Sequence, residues 1–413
     1  MTTAPALPVS KAPSTGRMSA DRLRALHAVR RLLAERPEEV HELLCEISTH
    51  RAAAYEIDAA VATLDGAEQE IALHRPATVD RLAVFMPSNV ILYSYVLYLL
   101  IPALYARQLV FRPSSQVKDQ MMRLHRMLSE VHGLPVEAAE SSQREFLDDL
   151  SGRADVVVFT GAYRNAEQVR TRLAPGQLFL FLGSGVNPFV VAPGADLEAA
   201  VRDAVEIRLL NSGQDCLGPD LFCVHEDLLE PFTDALRAAL DRLRHGPYTD
   251  PEADYGPLFY DGALEEAALY LARNRDRIVH GGNVDFRSRR LDPAIVVVPE
   301  VTPRTQLPEF FAPVFSIAGY RDERALAATL TTGVFTERAL GASVYGSAPE
   351  LVQALRRRTT VTTDTTLLAI DNGNAPFGGF GRMANYITDG KGMWTEPILV
   401  SKAVAEHLPR GRA

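Results

Sequence analysis

The fold is decided by the stretch RLAVFMPSNVILYSYVLYLLIPALYARQLVFRP, residues 81–113. Two short apolar runs, at 81–87 and 108–113, flank a longer apolar segment at 91–106. A short, continuous apolar run is typical of a strand buried on both faces, and such strands alternate with helices in parallel sheets. The stretch therefore predicts a strand, a buried helix and a second strand parallel to the first.

The same alternation continues as far as residue 185. Helical patterns at 117–133 and 166–173 alternate with the apolar runs DVVVFTG (155–161) and QLFLFLGSG (177–185). This order predicts a doubly wound α/β layer with its ligand crevice at the carboxyl ends of the strands. Residues 19–64 are predicted to be helical, because apolar side chains recur on one stripe at Leu23, Leu26, Val29, Leu32 and Leu33.

A second α/β region follows residue 186. Strands are predicted at NPFVVAP (187–193), DLFCVH (220–225), AIVVV (294–298) and GASVYG (341–346), and helices at 321–330 and 348–358. Asp196 can cap a helix that carries Leu197, Val201, Val205 and Leu209 at four-residue spacing. That helix ends near Asn211, so the turn after it presents Cys216. The glycine-rich stretch NAPFGGFGRM (374–383) is predicted to be an irregular loop.

Composition narrows the class of protein. The chain has 413 residues, 47% of them apolar, which is enough for two or three domains, and its net charge of −9 argues against a nucleic-acid partner. Three cysteines without a disulfide-like pattern fit a reducing compartment. The sequence contains neither a CxxC nor an HExxH motif, so we expect no zinc site. Residues 1–18 are predicted to be a flexible tail without a signal sequence, and the 91–106 run is too short to span a bilayer. We expect a cytoplasmic protein with no membrane partner.

Several separated stretches together resemble the aldehyde dehydrogenase superfamily. They occur in the family's order over roughly residues 75–400, and they are the segments at 87–115, 156–161, 187–201, 211–216, 250–259, 308–315, 340–346 and 376–381. The resemblance implies a Rossmann-type, nicotinamide-cofactor-binding domain at 19–185 with a small oligomerisation arm near 65–80. It also implies an α/β catalytic domain at 186–380 and a C-terminal oligomerisation or return segment at 381–413. A homodimer or homotetramer is expected on the same ground.

The motif NSGQDC (211–216) resembles the nucleophile motif of that family. Taken alone, Cys216 is either a nucleophile or a small buried residue, and Cys45 and Cys223 read as core residues. The resemblance implies that Cys216 attacks a carbonyl to give a thiohemiacetal, which becomes a thioester after hydride transfer. It also implies that Asn89 and the Cys216 backbone N–H stabilise the oxyanion, although an Asn after Pro87 could instead cap a helix.

The resemblance also assigns binding residues. It implies that the cofactor is held by Arg112, Ser114, Thr160, Gly161, Arg164, Glu309 and Phe311, with Glu309 at the nicotinamide ribose, and that the substrate is contacted by Gln214 and Phe377. Without it, Glu309 reads as a surface acid and Arg112 as a solvated cation. Ser115 occupies the place of a carboxylate that would repel a ribose phosphate, so NADP(H) is favoured over NAD(H). Tyr93, Tyr95 and Tyr98 face either the substrate or the core.

One departure from the family pattern bears on the reaction. The glutamate that serves hydrolytic members as general base is replaced here by Leu182, or by Phe181 if the alignment shifts by one residue, and no acidic residue lies between Glu167 and Asp196. This favours interconversion of an aldehyde and an activated acyl group, with coenzyme A, another thiol or an acyl-carrier partner as the acceptor. The alternatives are a hydrolytic aldehyde dehydrogenase whose base comes from elsewhere, and a non-catalytic binding or assembly protein.

Overall fold

The computed structural model describes residues 15–150, 153–183, 185–305 and 308–408. The predicted tail at 1–18 lies outside these residues, except that the first helix already begins at Thr15. The α-helices are α1 Thr15–Glu35, α2 Pro37–Leu44, α3 His50–His74, α4 Ile91–Tyr95, α5 Lys118–His132, α6 Gln143–Leu150, α7 Tyr163–Arg170, α8 Leu197–Leu209, α9 Glu226–Leu240, α10 Ala263–Arg273, α11 Glu323–Leu330, α12 Gly333–Glu337, α13 Pro349–Arg356 and α14 Val400–His407. None of the helices in this described part is both long and apolar enough to cross a membrane.

The β-strands form two large sheets and one small ribbon. The strands are β1 Val79–Phe85, β2 Ala106–Arg112, β3 Val136–Ala138, β4 Val156–Thr160, β5 Leu178–Leu182, β6 Pro188–Val191, β7 Leu221–His225, β8 Ile278–His280, β9 Val284–Asp285, β10 Arg290–Leu291, β11 Ala294–Val298, β12 Val314–Tyr320, β13 Gly341–Tyr345, β14 Thr360–Thr363, β15 Asn385–Thr388 and β16 Met393–Trp394.

The first sheet has the order β16-β15-β5-β4-β1-β2-β3, and its five strands from β1 to β5 are parallel. Strand order reverses between β1 and β4, which is where doubly wound sheets open a crevice at the carboxyl ends. The predicted Rossmann-type layer is therefore confirmed. The second sheet, β14-β13-β6-β7-β12-β11-β8, is parallel except at β8, and it carries the nucleophile loop between β6 and β7.

The apolar segment at 91–106 differs from the predicted continuous helix. It consists of the short α4, a π-helical turn at Val96–Leu100 and a 3-10 turn at Pro102–Leu104, and β2 then begins at Ala106. Pro102 has no N–H to donate, so it interrupts the regular hydrogen-bond ladder. The Ile101 N–H bonds to the Val96 carbonyl, which widens the turn before the proline.

The structure places both segments that were expected to serve oligomerisation, and that role stays a prediction for each. Residues 65–74, within the expected arm near 65–80, are the last turns of α3, where Leu64 and Ala67 bury their side chains and keep the helix on the core. In the C-terminal segment, β15 pairs antiparallel with β5, and β16 pairs with β15, so these strands extend the chain's own first sheet. Both edges of β15 are therefore paired within the chain, whereas β16 is the outermost strand of the sheet among the described residues.

The N-terminal helices support the segment that follows β1. Glu56 on α3 is buried, and its Oε1 accepts hydrogen bonds from the backbone N–H groups of Leu92 at 2.6 Å and Tyr93 at 3.0 Å. It therefore takes the place of an N-cap for α4. Burial raises the pKa of Glu56 from 4.5 to about 7, while the two backbone hydrogen bonds oppose the rise.

The buried carboxyl group makes stability depend on pH. Because its folded pKa lies above its unfolded value, the contribution of Glu56 is present below about pH 4.5 and is lost as pH rises through about 7. We expect Glu56→Gln, which keeps the acceptor oxygen and removes the charge, to lose less unfolding free energy than the parent protein between pH 5 and pH 8. Urea unfolding of both proteins at the two pH values measures this. Equal losses in the two proteins would contradict it.

Candidate active site

The nucleophile loop leaves α8 through three residues in the left-handed conformation. Asn211, Ser212 and Gly213 have φ values of 49°, 59° and 81°, and they close a 3-10 turn at Leu210–Gly213. Left-handed backbone is uncommon for residues other than glycine, and it persists where surrounding contacts enforce it. The turn reverses the chain and places Cys216 on the far side of it, as the end of the helix predicted.

Long-range hydrogen bonds hold this turn. The Asn211 Oδ1 accepts the Thr49 N–H at 3.1 Å, and the Ser212 Oγ accepts the Gly256 N–H at 2.8 Å. Both partners lie far away in the sequence and belong to the N-terminal helices and the loop after α9. The polar side chains of Asn211 and Ser212 therefore bond to the chain's own backbone, and these bonds fix the position of the cysteine.

Gln214 is placed differently from the expectation that it contacts substrate. Its side chain is fully buried, and its Oε1 accepts the N–H groups of Phe259 at 2.7 Å and Tyr260 at 3.2 Å. Its Nε2 donates to the Tyr248 hydroxyl at 3.0 Å. An amide whose donors and acceptor are all engaged by the fold is a positioning residue for the loop.

A fully buried arginine joins the nucleophile loop to the loop that carries Glu309. The Arg208 guanidinium donates to the carbonyl oxygens of Gly213 at 2.9 Å and Pro219 at 3.1 Å, and to those of Phe310 and Ala312. Asp220 lies 3.5 Å from Arg208, and its Oδ1 also accepts the Phe310 N–H at 2.7 Å. The sequence showed only a basic residue near a helix end, so this role was missed.

Asn187 fixes the cysteine itself. Its Nδ2 donates to the Cys216 carbonyl at 2.7 Å and to the Gly218 carbonyl at 3.2 Å, while its Oδ1 accepts the Gly341 N–H at 3.0 Å. Asn187 directly precedes β6 and is itself bonded to β13, so it fixes the Cys216 carbonyl to the second sheet. The half-buried side chain of Cys216 lines a cavity.

That cavity has a volume of about 180 Å³ and is mostly apolar. Its lining includes Cys216, Phe377 and Leu182, whereas Phe181 is fully buried in the core under the first sheet. Of the two residues that could replace the family's glutamate, Leu182 is therefore the one that lines the same cavity as the nucleophile. Of the three tyrosines left open by the sequence, Tyr93 and Tyr98 line the cavity, and Tyr95 bonds to His125 and His132 in the core.

Two carboxyl groups in the cavity were not singled out from the sequence. Asp215 precedes the cysteine, and its Oδ1 accepts the Leu217 N–H at 2.8 Å. Asp371 accepts the Tyr55 hydroxyl at 2.9 Å and the Tyr93 hydroxyl at 3.1 Å. The only sequence signal was the position of Asp215 inside the motif, because Asp371 reaches the site through tertiary contacts.

The electrostatic environment keeps the thiol neutral. Burial raises the pKa of Cys216 well above its ordinary value, and the charges of Asp215, Glu309 and Asp371 raise it further. Burial, together with the charge of Asp371, raises the pKa of Asp215 to about 6, although the Leu217 N–H and Arg208 oppose this. A resting thiol is less reactive than a thiolate, so attack on a carbonyl requires a proton acceptor when substrate arrives.

Asn89 lies in the loop after β1, directly before α4. It is half-buried, and within the described ranges no hydrogen bond to its amide is recorded. The neighbouring Val90 lines the cavity. Its φ of 45° is a strained backbone conformation for a β-branched residue. Because Glu56 bonds the N–H groups at the start of α4, the capping role considered for Asn89 is filled by another residue.

The expected cofactor residues lie at the carboxyl edge of the first sheet. Arg112 ends β2 and donates to the Ser141 carbonyl at 3.3 Å, and Thr160 ends β4 and donates to the Phe85 carbonyl at 2.8 Å. Gly161 follows with φ 136°. Two further expected residues, Ser114 before a 3-10 turn and the exposed Arg164 in the first turn of α7, belong to the same edge.

Glu309 and Phe311 lie on the loop before β12. The Glu309 Oε2 is 3.9 Å from the Arg338 guanidinium, and its charge acts on the Cys216 thiol, so the two loops face one region. The Phe311 ring packs edge-on against Tyr260 at 6.1 Å between centroids. The edge of the sheet carries cations and a glycine, and the loop supplies a carboxylate, which suits a phosphorylated dinucleotide with ribose hydroxyls.

The closeness of the two loops can be tested at Gly213. A Cβ there would lie 2.5 Å from the Ala312 carbonyl group, whereas Gly194, with a similar φ of 79°, has open space around it. We expect Gly194→Ala to cost about 1 kcal/mol through backbone strain alone, and Gly213→Ala to cost more because the Ala312 backbone must move. Urea unfolding measures the difference. Equal losses would contradict the contact.

Comparison with known proteins supports the family resemblance. A sequence profile of the aldehyde dehydrogenase family matches residues 15–396. A 4,4'-diapolycopene-4,4'-dial dehydrogenase from Cytobacillus firmus is 27% identical over 234 residues, which are 55% of this chain and 50% of that protein. An NADP⁺ succinate-semialdehyde dehydrogenase from Mycobacterium tuberculosis is 34% identical over 157 residues, 36% of this chain and 34% of that protein. The chain thus spans half or less of these relatives.

Solved structures show the same fold over most of the chain. Succinic semialdehyde dehydrogenase from Streptococcus pyogenes, solved with NADP⁺, has a TM-score of 0.80 at 16% identity and covers 93% of this chain and 88% of its own. Glyceraldehyde-3-phosphate dehydrogenase from Methanocaldococcus jannaschii, solved with NADP, has a TM-score of 0.78 at 18% identity and covers 95% and 89%. With the profile match over nearly its whole length, this chain belongs to the aldehyde dehydrogenase family.

Proposed function

We propose that this protein is a nicotinamide-dependent oxidoreductase that interconverts an aldehyde and an activated acyl group through a thioester on Cys216. The observation that carries the proposal is the position of Leu182. It ends β5 and lines the same cavity as Cys216, at the place where the family's hydrolytic members carry a glutamate. A leucine cannot take a proton from water, and loss of a general base slows such a step by about 10²–10⁴-fold.

The residues of the chain divide the work as follows. Cys216 attacks the carbonyl carbon while its thiol proton passes to a carboxylate of the cavity, Asp215 or Asp371. The backbone N–H of Cys216 and the Asn89 amide donate to the oxygen that becomes negative. The nicotinamide cofactor, when bound, supplies the hydride acceptor or donor. Cys216 then carries the acyl group as a thioester until a thiol replaces it, and Asn187 keeps the cysteine backbone fixed throughout.

The apolar lining protects this thioester from water. The cavity that contains Cys216 is lined by Leu182 together with Leu97, Leu340, Ile398 and Leu399. Apolar walls offer few hydrogen bonds to an ordered water, so a reactive water is poorly held there. A thiol acceptor such as coenzyme A, or an acyl-carrier partner, brings its own nucleophile and does not need the missing base.

The cofactor proposal favours NADP(H). Arg112 stands at the carboxyl end of β2, and Ser115 replaces a carboxylate that would repel a ribose phosphate. A planar guanidinium suits a phosphate through two parallel hydrogen bonds. Ser114, Thr160, Gly161 and Arg164 complete the proposed edge, and Glu309 would accept from the nicotinamide ribose. A cytoplasmic location and a homodimer or homotetramer belong to the same proposal.

A hydrolytic aldehyde dehydrogenase is the second candidate. It is favoured by Asp215, whose carboxyl group lines the cavity and has its pKa raised by burial to about 6. A base in this range is mostly ionised at neutral pH and could activate water from a different direction. Under this candidate, Asp215→Asn stops release of free acid. A non-catalytic protein, the third alternative, would leave Cys216 without turnover in either direction.

A base introduced at position 182 tests the proposal. We expect the parent protein to form NADPH from an aldehyde and NADP⁺ much faster with a thiol acceptor than without one. Leu182→Glu places a carboxylate where water must be activated, so acceptor-free turnover should rise by at least about tenfold. The matched Leu182→Gln variant controls for size and polarity. Fast acceptor-free turnover in the parent protein, or no difference between the two variants, would overturn the proposal.

Cofactor choice can be tested on one strand. We expect Arg112→Ala to raise the Kd for NADPH by about tenfold and to leave the Kd for NADH nearly unchanged, because only NADPH carries the additional phosphate. Arg107→Ala is the control, since Arg107 lies near the opposite end of β2 and pairs with Asp80. Fluorescence titration measures both constants. A similar change for the two cofactors would show that Arg112 does not read the phosphate.

A further inference from the structure

The cavity around Cys216 is negatively charged. Its lining contributes two carboxyl groups, those of Asp215 and Asp371, and its remaining residues are neutral. Among the described residues that line it, none is a lysine, arginine or histidine. A small apolar cavity with two acids and no cation of its own lacks a counter-charge inside.

Each acid is held in place with acceptor capacity left. Both Asp371 oxygens accept one phenol, from Tyr55 and Tyr93, and an ionised carboxylate oxygen can accept two hydrogen bonds. The Oδ1 of Asp215 accepts the Leu217 N–H, and no hydrogen bond to its Oδ2 is recorded within the described ranges. The two acids are therefore oriented by the protein and still open to a donor in the cavity.

Electrostatics gives the same picture as the geometry. Burial raises the pKa of Asp371 in spite of the two tyrosine hydroxyls, and the charge of Asp371 helps to raise the pKa of Asp215. Arg208 acts on Asp215, but its hydrogen bonds go to backbone carbonyls and Asp220. Two like charges that line one cavity become more stable when a cation comes between them.

Aromatic rings add to the attraction for a cation. Tyr55, Tyr93 and Tyr98 line the cavity together with the acids, and a negative charge on Cys216 would raise the pKa of the nearby Tyr98 hydroxyl. The faces of tyrosine rings attract ammonium groups, most strongly where water is excluded. The three rings therefore extend the same preference from Asp371 to the neighbourhood of the thiol.

We propose that the acyl chain of the substrate carries an ammonium group, which binds to Asp371 and Asp215 while its carbonyl carbon meets Cys216. This rests on the function proposed above and names the substrate class as amino aldehydes, or the matching aminoacyl thioesters. A short chain fits the cavity of about 180 Å³. An anionic aldehyde is disfavoured by the same two carboxylates, which separates this site from that of a succinate-semialdehyde dehydrogenase.

The surroundings of Asp371 give the ammonium group a route. A second cavity of about 510 Å³ shares Tyr93, Asp371, Asn372 and Gly373 with the first, so Asp371 stands where the two meet. Glu70, on α3, lines this outer cavity. A cationic substrate would thus pass one carboxyl group before it reaches the pair beside the cysteine.

The first test compares aldehydes of similar size and different charge. 3-Aminopropanal and butanal differ by an ammonium in place of a methyl group, and succinate semialdehyde carries a carboxylate. We expect kcat/KM with NADP⁺ and a thiol acceptor to favour 3-aminopropanal over butanal by at least about tenfold, with succinate semialdehyde poorest. Asp371→Asn should reduce the preference severalfold. Asp58→Asn, on the exposed side of α3, removes the same charge outside the cavity and should leave the preference unchanged.

The second test needs no turnover. Cys216 is labelled with 2-aminoethyl methanethiosulfonate, which is cationic, or with 2-sulfonatoethyl methanethiosulfonate, which is anionic, and each labelling rate is measured by mass spectrometry of the Cys216 peptide. Each rate is divided by the rate at which the same reagent labels free 2-mercaptoethanol, which corrects for the reagent's own reactivity. We expect the corrected rate of the cationic reagent to exceed that of the anionic reagent by at least about tenfold. Asp371→Asn should lower this ratio of cationic to anionic rates, and Asp58→Asn should leave it unchanged.

The two tests separate the two proposals. Equal or reversed charge preference in labelling, or turnover of all three aldehydes without preference, overturns the cationic substrate and leaves the proposed function standing. Strong preference in labelling without turnover of any aldehyde overturns the proposed function and leaves the cation-selective cavity standing. A Cys216 that reacts with neither reagent overturns both.

Discussion

The buried guanidinium of Arg208 is the interaction on which the geometry of the site depends. It binds carbonyl oxygens on both sides of Cys216, at Gly213 and Pro219, and carbonyls of the loop that bears Glu309. A buried cation is costly unless it is paired and fully hydrogen-bonded, and Asp220 supplies the pairing. The nucleophile and the proposed ribose-binding carboxylate are therefore positioned by one side chain, and neither loop can shift without leaving that cation unsatisfied.

The polar groups of the nucleophile motif complete this arrangement. Asn211, Ser212 and Gln214 use their side chains to hold distant backbone N–H groups, and Asn187 holds the cysteine carbonyl. With these polar groups committed to the fold, the cavity itself is mostly apolar, and its polar lining consists of its acids and tyrosines together with Ser94, Asn372 and Asn385. The apolar lining is the basis for proposing a thioester that is kept from reactive water. The two acids are the basis for proposing a substrate that supplies the positive counter-charge.

The sequence predicted what local patterns encode. Apolar runs identified the central strands β1, β2, β4 and β5 of the first sheet and β6, β7, β11 and β13 of the second. The helix capped by Asp196 correctly placed Cys216 after a turn. Replacement of an acidic residue at Leu182 was also visible, because the neighbouring Asn187-Pro188 anchors the alignment. In each case the signal lies within one element or one short motif.

Tertiary contacts account for what the sequence missed. Tyr55 meets Asp371 across 316 positions and Thr49 meets Asn211 across 162, and no local pattern encodes such pairs. Gln214 was expected to contact substrate, and its buried side chain bonds to the N–H groups of Phe259 and Tyr260, a direction that a motif does not encode. The predicted helical region stopped at residue 64, whereas α3 continues to His74 on its apolar face, and the oligomerisation role expected near 65–80 stays a prediction.

The most direct measurement of the central claim is the mass of the intact protein after reaction with an aldehyde and NADP⁺ in the absence of any thiol. The account predicts one NADPH per chain and a lasting mass increase equal to the acyl group, located on the Cys216 peptide and removed when a thiol acceptor is added. Many NADPH per chain with no adduct would mean that water resolves the thioester readily, and would contradict it.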